Sequence, residues 1–401
     1  MRVIAATAHT RLVRARLVVS VSVCVWQLER TVRARPMAAF SIRGFLGTEC
    51  MVLDTTEILR CASLLENARG GPSENESQVQ QQYDEAMGVF TESALPILQA
   101  SGYKSWPTVQ TRERVTITAM DGALTNLVFC CRHDGPNAES EKILLRVFGA
   151  GTDMFFKRSE EEALFKGLTK RGVTKAKLLC TFQNGRCENF LEGYATFTPD
   201  TIRDRGIQAD VARLMKQLHG VDLGEDCPFG RGPDFLWNAL SSWYENIERH
   251  AADTRFELFN LAELGKELQW LVEKVKDETK GCPVVLGHND LQYGNLMQNT
   301  REPHDVCFID YEYSGYVPLA FELANFFAEF SADYDADVVC DYVNRGVSEA
   351  ERLSFYEQYL MARPNQAEDV SEKTLKTLDA QVSAYMLVNH MFWGLWGLLQ
   401  T

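Results

Sequence analysis

The chain has 401 residues, 45% hydrophobic and 24% charged, enough for two or three packed units or one two-lobed enzyme. Its formal net charge of −14 excludes the basic surface that a nucleic-acid partner requires and suits, if anything, a small cation. The eleven cysteines are scattered without a Cys-x-x-Cys spacing, which excludes a zinc ribbon or a small disulfide framework and leaves reduced thiols in a cytoplasmic enzyme as the expectation.

Residues 1–36 stand apart. Seven arginines against the single acid Glu29 give them +6, leaving −20 for the remainder of a chain whose net charge is −14. The apolar run from Leu17 to Leu28 is too short to span a bilayer. The segment reads either as a targeting peptide or as an upstream extension ahead of a start at Met37. No later stretch offers an uninterrupted apolar span, so stable membrane insertion is not expected; Tyr385 to Leu399, which contains Asn389 and His390, reads as a buried helix.

Residues 54–68 open with an Asp-x-x-Glu capping pattern and continue as a short amphipathic helix. A polar Gly/Pro/Ser-rich linker follows over 69–78, then a helix over 79–98. Strands are expected at Val115–Ala119, Leu127–Cys131 and Lys142–Phe148, with a turn at Asp121-Gly122-Ala123. A short helix over 159–170 precedes a hairpin of 178–182 and 186–191 around Asn184-Gly185. From about 200 helices dominate: Ile207 to Leu218 sets Val211, Leu214, Met215 and Leu218 on one face, and Leu261 to Val275 repeats the pattern. Short strands interrupt at Val284–Gly287 and Val306–Asp310, and 318–401 reads helical. The division is an N-terminal extension (1–78), a β-rich N-lobe (79–192) and a mainly helical C-lobe (193–401), an α+β layout of the protein-kinase-like, two-lobed kind.

Chemistry concentrates between Leu286 and Tyr313. A strand delivers His288-Asn289-Asp290, Asn295 follows after four residues, and a second apolar strand delivers Asp310. Taken alone, Asp-x4-Asn reads better as a turn after a strand than as a site. Joined to two strands and a second Asp, it matches what transfer of a phosphoryl group from ATP to an alcohol demands: a carboxylate for the hydroxyl proton and hard oxygens for Mg2+. Asp290 takes the base position, Asn295 and Asp310 the metal positions, and His288 braces the loop backbone. The glycine turn at 121–126 can lay backbone N–H groups over phosphates, or be a plain hairpin. Arg146, the one charge within ILLRVF, reads as a phosphate-gripping cation or as a solvent-facing strand residue, with Glu161 as a possible holder. Trp393 and Trp396 lie three apart on one helical face and, with a carboxylate, can cage a cationic amine or simply fill a core. No GxxxxGK sequence occurs, which excludes a P-loop kinase.

The strings GHNDLQYGN (287–295), FIDYEYSGY (308–316), FELANFFAEF (321–330) and FWGLWGLLQ (392–400) resemble the choline/ethanolamine kinase family. Weaker similarity covers 121–129, 144–156 and 180–193, so that the resemblance spans about 110 to 400. It implies Mg-ATP-dependent phosphorylation of a small amino alcohol, the first step of phosphatidylcholine or phosphatidylethanolamine synthesis. It makes Asp290 the catalytic base, places Asn295, Asp310 and Glu312 on magnesium, and has Gln292 supporting the ATP site. It has Gly122, Ala123, Leu124, Thr125, Asn126 and Arg146 contacting phosphates, and Asn189, Phe190 and Leu191 forming the adenine-side hinge. Glu329, Tyr334, Trp393 and Trp396 would line the amine pocket. HNDLQYGN is similar to choline kinases, plant-type ones especially, whereas CTFxNG and the loop at 121–126 lean toward ethanolamine kinases; choline is the expected main substrate and ethanolamine the secondary one.

The sequence departs from the family pattern at several places. Glu322 stands where an aspartate is usual, Phe326-Phe327 replaces His-Phe, and Asp121 occupies a place that is basic in many choline kinases. Relatives continue past the Trp helix through another helix carrying pocket aromatics, whereas this sequence ends at Thr401. Two competing readings are an aminoglycoside-phosphotransferase-type kinase, disfavoured by the Trp pair and IDYEYSGY, and a non-catalytic pseudokinase, disfavoured by the intact Asp290, Asn295 and Asp310. The oligomeric state stays open, a homodimer included.

Overall fold

The computed structural model describes residues 53, 76–120, 126–134, 140–148, 157–250, 256, 259–336, 338–362 and 370–400. The expected helix over 54–68 and the glycine turn at 121–125 lie outside these. Their contacts divide the described residues into two compact units: 53, 76–148 and 175–192 in one, 157–174 and everything from 193 in the other.

The first unit is a helix on a sheet. Helix α1 (Glu76–Ala100) precedes strands β1 (Val115–Met120), β2 (Asn126–Asp134), β3 (Ser140–Phe148), β4 (Leu178–Phe182) and β5 (Gly185–Asn189). The sheet runs β1-β2-β3-β5-β4, every pair antiparallel. Alternation along β3 sends Ile143, Leu145 and Val147 inward, where they meet Phe129, Cys131, Cys187 and the α1 stripe of Phe90, Ala94, Ile97 and Leu98. The Phe90 and Phe129 rings sit 4.7 Å apart. Each large side chain so buried contributes about 1.5–3 kcal/mol.

The opposite face of β3 carries Arg146. Its cross-strand partner is Arg186, and both guanidinium groups reach Glu188, at 3.3 and 2.7 Å. At 5% exposed, Arg146 is not the solvent-facing residue of the simplest sequence reading. The hairpin expected around Asn184-Gly185 is present, but its two loop residues are Gln183 and Asn184, and Gly185 already lies in β5. Glycine is needed there for close approach: a Cβ would come within 2.2 Å of the Arg146 carbonyl oxygen. The Asn184 side chain exchanges two hydrogen bonds with the backbone of Leu53, at 3.0 and 3.2 Å.

In the second unit α2 (Arg158–Lys170) comes first, followed by β6 (Tyr194–Thr196), α3 (Arg205–His219), α4 (Asp234–Arg249) and α5 (Leu261–Glu278). Strands β7 (Val284–Gly287), β8 (Leu296–Asn299), β9 (Val306–Phe308) and β10 (Gly315–Pro318) lead into helices α6 (Leu319–Ala328), α7 (Glu349–Met361) and α8 (Glu372–Gln400). Helix starts carry the expected chemistry: Asp204 and Asn260 accept from backbone N–H groups of α3 and α5, and Ser348 with Glu351 forms a capping box on α7. Helix α6 is apolar nearly all round and buried from Leu319 to Phe327, which makes it the central post of the unit.

Two expectations need correction here. The strand expected over Val306–Asp310 stops at Phe308, because Asp310 turns to a left-handed φ of +67° that no strand accommodates. The stretch after 318 is not continuously helical. The chain leaves helix after Ser331, Ala332 bridges to Cys340, and helix resumes only behind the Ser348 cap. Strands β6, β8 and β10, at three or four residues each, are too short to give a periodic signal and were not foreseen.

Candidate active site

The site grows from the end of β7. Gly287 has no room for a side chain, since a Cβ would lie 2.6 Å from Asn289 Oδ1 and 2.8 Å from Val317 Cγ2. The loop after it is pinned by side chains of α6. Glu322 accepts from the backbone N–H of His288 and of Asn289, both at 2.8 Å, and Asn325 Oδ1 accepts from Leu291 N at 2.8 Å. Burial pushes the Glu322 carboxyl up, but the hydrogen bonds and charges of His219 and His288 outweigh it and hold it below the usual carboxylate range. His288 donates through Nε2 to the Ile309 carbonyl at 2.9 Å and thus ties the loop to the residue just before Asp310. Asn289 holds φ +68° and donates to the Tyr313 carbonyl at 2.9 Å. Left-handed backbone at a residue other than glycine costs about 1–3 kcal/mol and persists where surrounding bonds enforce it, as they do here.

Asp290 is thereby presented, 8% exposed, with a fixed orientation. Asn295 donates to its backbone carbonyl at 2.9 Å and to Oδ2 at 2.7 Å, and Gln292 donates to Oδ2 at 3.4 Å. Burial, then the charges of Glu329, Asp310 and Glu312, push the Asp290 carboxyl well above its ordinary value. With both Asn295 N–H donors on Asp290, its Oδ1 is the atom left to face a cation.

Asp310 and Glu312 are joined by Glu161 of α2, the three offering ligand oxygens within 4.8 Å of one another. Like charges at that separation repel by about 3–4 kcal/mol per pair at an effective dielectric near 20, so the trio calls for a cation. Hard carboxylate oxygens together with an amide oxygen fit magnesium. Arg158, one turn before Glu161, donates to Glu161 at 2.9 Å and to Glu312 at 3.5 Å. Sequence reasoning placed Glu161 only against Arg146. Its place beside Asp310 and Glu312 was missed, and an acid on the first turn of a helix gave no signal for it.

The aromatics expected with Glu329 fall into two groups of contacts, Tyr334 with Glu329 itself and the Trp pair with Tyr313. Tyr334 donates to Glu329 Oε2 at 2.7 Å, and Tyr293 stacks on Tyr334 at 5.1 Å. Burial, eased by the Tyr334 hydrogen bond, raises the Glu329 carboxyl to about 7. Trp393 and Trp396 lie 5.6 Å apart on α8. Tyr313 meets the Trp393 ring at 5.2 Å and accepts from Trp396 Nε1 at 2.6 Å. The contacts of Tyr293 with Tyr334 and of Tyr313 with the Trp pair were not foreseen, although the YGN and YEY strings that carry these tyrosines were in view.

The residues expected at the nucleotide belong to the sheet unit. Asn126 opens β2 with its side chain buried, Arg146 is paired as described, and Asn189 ends β5 by accepting from the Lys177 N–H. Phe190 and Leu191 follow half-buried, the Phe190 ring 5.0 Å beneath Lys142 Nζ. Gly122, Ala123, Leu124 and Thr125 lie outside the described residues.

A helix-backed antiparallel sheet, a helical unit, and an Asp-x4-Asn loop with a second Asp after the next hairpin define a phosphotransferase of protein-kinase-like fold. The fold is shared with a solved choline kinase of Cryptosporidium parvum, at TM-score 0.63 and 22% identity over 78% of this chain and 90% of that one. The family model for choline/ethanolamine kinase matches residues 117–401, and the chain belongs to that family and is a kinase. It is 34% identical to probable choline kinase 2 of Arabidopsis thaliana over 73% of this chain and 81% of that protein. It is 33% identical to mouse ethanolamine kinase 1 over 71% of this chain and 77% of that protein. Among the described residues no helix is long and apolar enough to cross a membrane.

Proposed function

We propose that the protein transfers the γ-phosphoryl group of ATP to the hydroxyl of choline, with ethanolamine as a secondary substrate. The observation that carries this reading is the carboxylate of Glu329 held by the Tyr334 hydroxyl, with the Tyr293 ring against Tyr334, near enough to Asp290 for its charge to lift that carboxyl. Aromatic faces with few acceptors suit a quaternary ammonium, which has no N–H to donate. With the cationic head in that cage, the hydroxyl end of the amino alcohol reaches Asp290. Asp290 accepts the hydroxyl proton, Asn295 and Gln292 hold its carboxylate in line, and the crowded negative charge gives it the basicity the step needs.

Asn295, Asp310, Glu312 and Glu161 would hold magnesium, which when bound supplies charge neutralisation for the phosphates. Arg146 and the turn at 121–126 would contact the phosphates, and Asn189 to Leu191 would edge the adenine. A cytoplasmic location fits this reading. Phosphate transfer from Mg-ATP to choline and to ethanolamine, measured with wild type beside Asp290→Ala, tests it. The expected result is turnover that favours choline and disappears in the variant; ATP binding without turnover of either amine would sink it.

A further inference from the structure

We infer that Arg158 is the built-in counter-ion of the metal site and sets its affinity for divalent cations, an inference that rests on the metal reading of Asp310, Glu312 and Glu161. Three carboxylates with oxygens within 4.8 Å of one another, two of them on buried residues, call for positive charge beside them. One guanidinium nitrogen of Arg158 touches two of the three. The side chains of Glu161 and Glu312 are 2% and 4% exposed and that of Arg158 is 16% exposed, so the pairing is shielded from water. Its origin is local and rigid: Arg158 opens α2 and Glu161 follows at i+3, so one helix turn brings its own cation to the acid it delivers.

Two consequences follow. Without metal, Arg158 bridges Glu161 and Glu312 and keeps the two carboxylates grouped in the ligating arrangement. When a dication arrives, the fixed charge of Arg158 repels it and competes for Glu161 and Glu312, so the site binds metal more weakly than its carboxylates alone would allow. Arg158 is therefore a positioning residue that tunes metal release.

The test is a Mn2+ titration of the nucleotide-free full chain, read by the electron paramagnetic resonance signal of free Mn2+ and independent of turnover. Arg158→Gln and Arg158→Ser are both measured, so that a folding defect in one does not decide the matter, alongside Arg158→Lys and Asp310→Asn. Removing a unit charge at this range is expected to tighten Mn2+ binding about tenfold or more. Arg158→Lys keeps the charge and is expected to stay within about threefold of wild type, while Asp310→Asn loses the site. Neutral variants that bind Mn2+ no tighter than wild type, with Asp310→Asn still abolishing it, overturn the role of Arg158 and leave the metal site standing. Equal binding by wild type and Asp310→Asn, or none by either, overturns the metal reading and this inference with it.

Discussion

Replacing Glu322 isolates what holds the Asp290 loop in place. Its two oxygens accept from two buried N–H groups, each at 2.8 Å. A hydrogen bond to a charged acceptor contributes about 1.5–3 kcal/mol, and a buried donor left alone costs about 1–3 kcal/mol. Glu322→Ala therefore costs about 3–6 kcal/mol, a large share of the 5–15 kcal/mol of a typical domain. Glu322→Gln is the sharper experiment. It keeps the volume, but whichever way the amide turns, its NH2 faces either His288 N–H or Asn289 N–H, donor against donor. One bond is lost at about 2–3 kcal/mol, and the loop carrying Asp290 is loosened. Urea unfolding at pH 7, followed by tryptophan fluorescence, should show that loss, and steady-state kinetics should show kcat falling at least about tenfold with KM for either substrate little changed. A Gln variant within about 0.5 kcal/mol of wild type with unchanged kcat would refute the claim that Glu322 fixes the loop.

Other outcomes follow from the same geometry. Asp290→Asn should lower kcat by about 10²–10⁴ while nucleotide binding, followed by calorimetry, is kept. Trp393→Ala should raise the KM for choline about five- to thirtyfold, the equivalent of a 1–2 kcal/mol cation–π contact, and leave the KM for ATP near wild type. Glu329 titrates near 7, so the KM for choline, whose nitrogen has no proton to lose, should fall as pH rises from 6 to 8, and Glu329→Gln should flatten that limb. An acid raised in the folded state costs stability once pH exceeds its unfolded value near 4.3, and the cost grows until about 7. Glu329→Gln should therefore be more stable than wild type by about 3 kcal/mol at pH 8 and equal to it at pH 4, as measured by thermal melts. Gly185→Ala should destabilise the sheet unit, since its methyl group has backbone at 2.2 Å with nowhere to move; an unchanged melting temperature would contradict that.

Legibility in the sequence followed distance along the chain. Asp290, Asn295 and Asp310 lie within one strand–loop–hairpin segment, so spacing and flanking apolar strands sufficed to group them. The groups that make them work come from elsewhere: Glu322 and Asn325 from α6, Glu161 and Arg158 from α2. Pairings that join distant segments leave no periodic trace. Arg186 and Glu188 were within reach, since residues two apart share a strand face and Arg146 lies on the neighbouring strand, but that required the β3–β5 pairing. The expectation of an aromatic cage came from family likeness alone; helical spacing cannot tell a cage from a core. The departure from helix after Ser331 had a signal that went unused, the Asp-rich stretch ahead of the Ser348 cap.

The grip of α6 on the loop has a consequence for how this chain can change over evolutionary time. Glu322 and Asn325 are one turn apart on a rigid helix, and the three backbone N–H groups they receive belong to residues 288, 289 and 291. Helix and loop thus form a ruler with fixed divisions. Side chains along 288–291 can be exchanged at a cost, but inserting or deleting one residue between 288 and 291 breaks the spacing and strands at least one buried donor. The tip at 301–303, exposed and bonded only to Gln298, Asn299 and Asp305 beside it, carries no such ruler and is where length variation should accumulate.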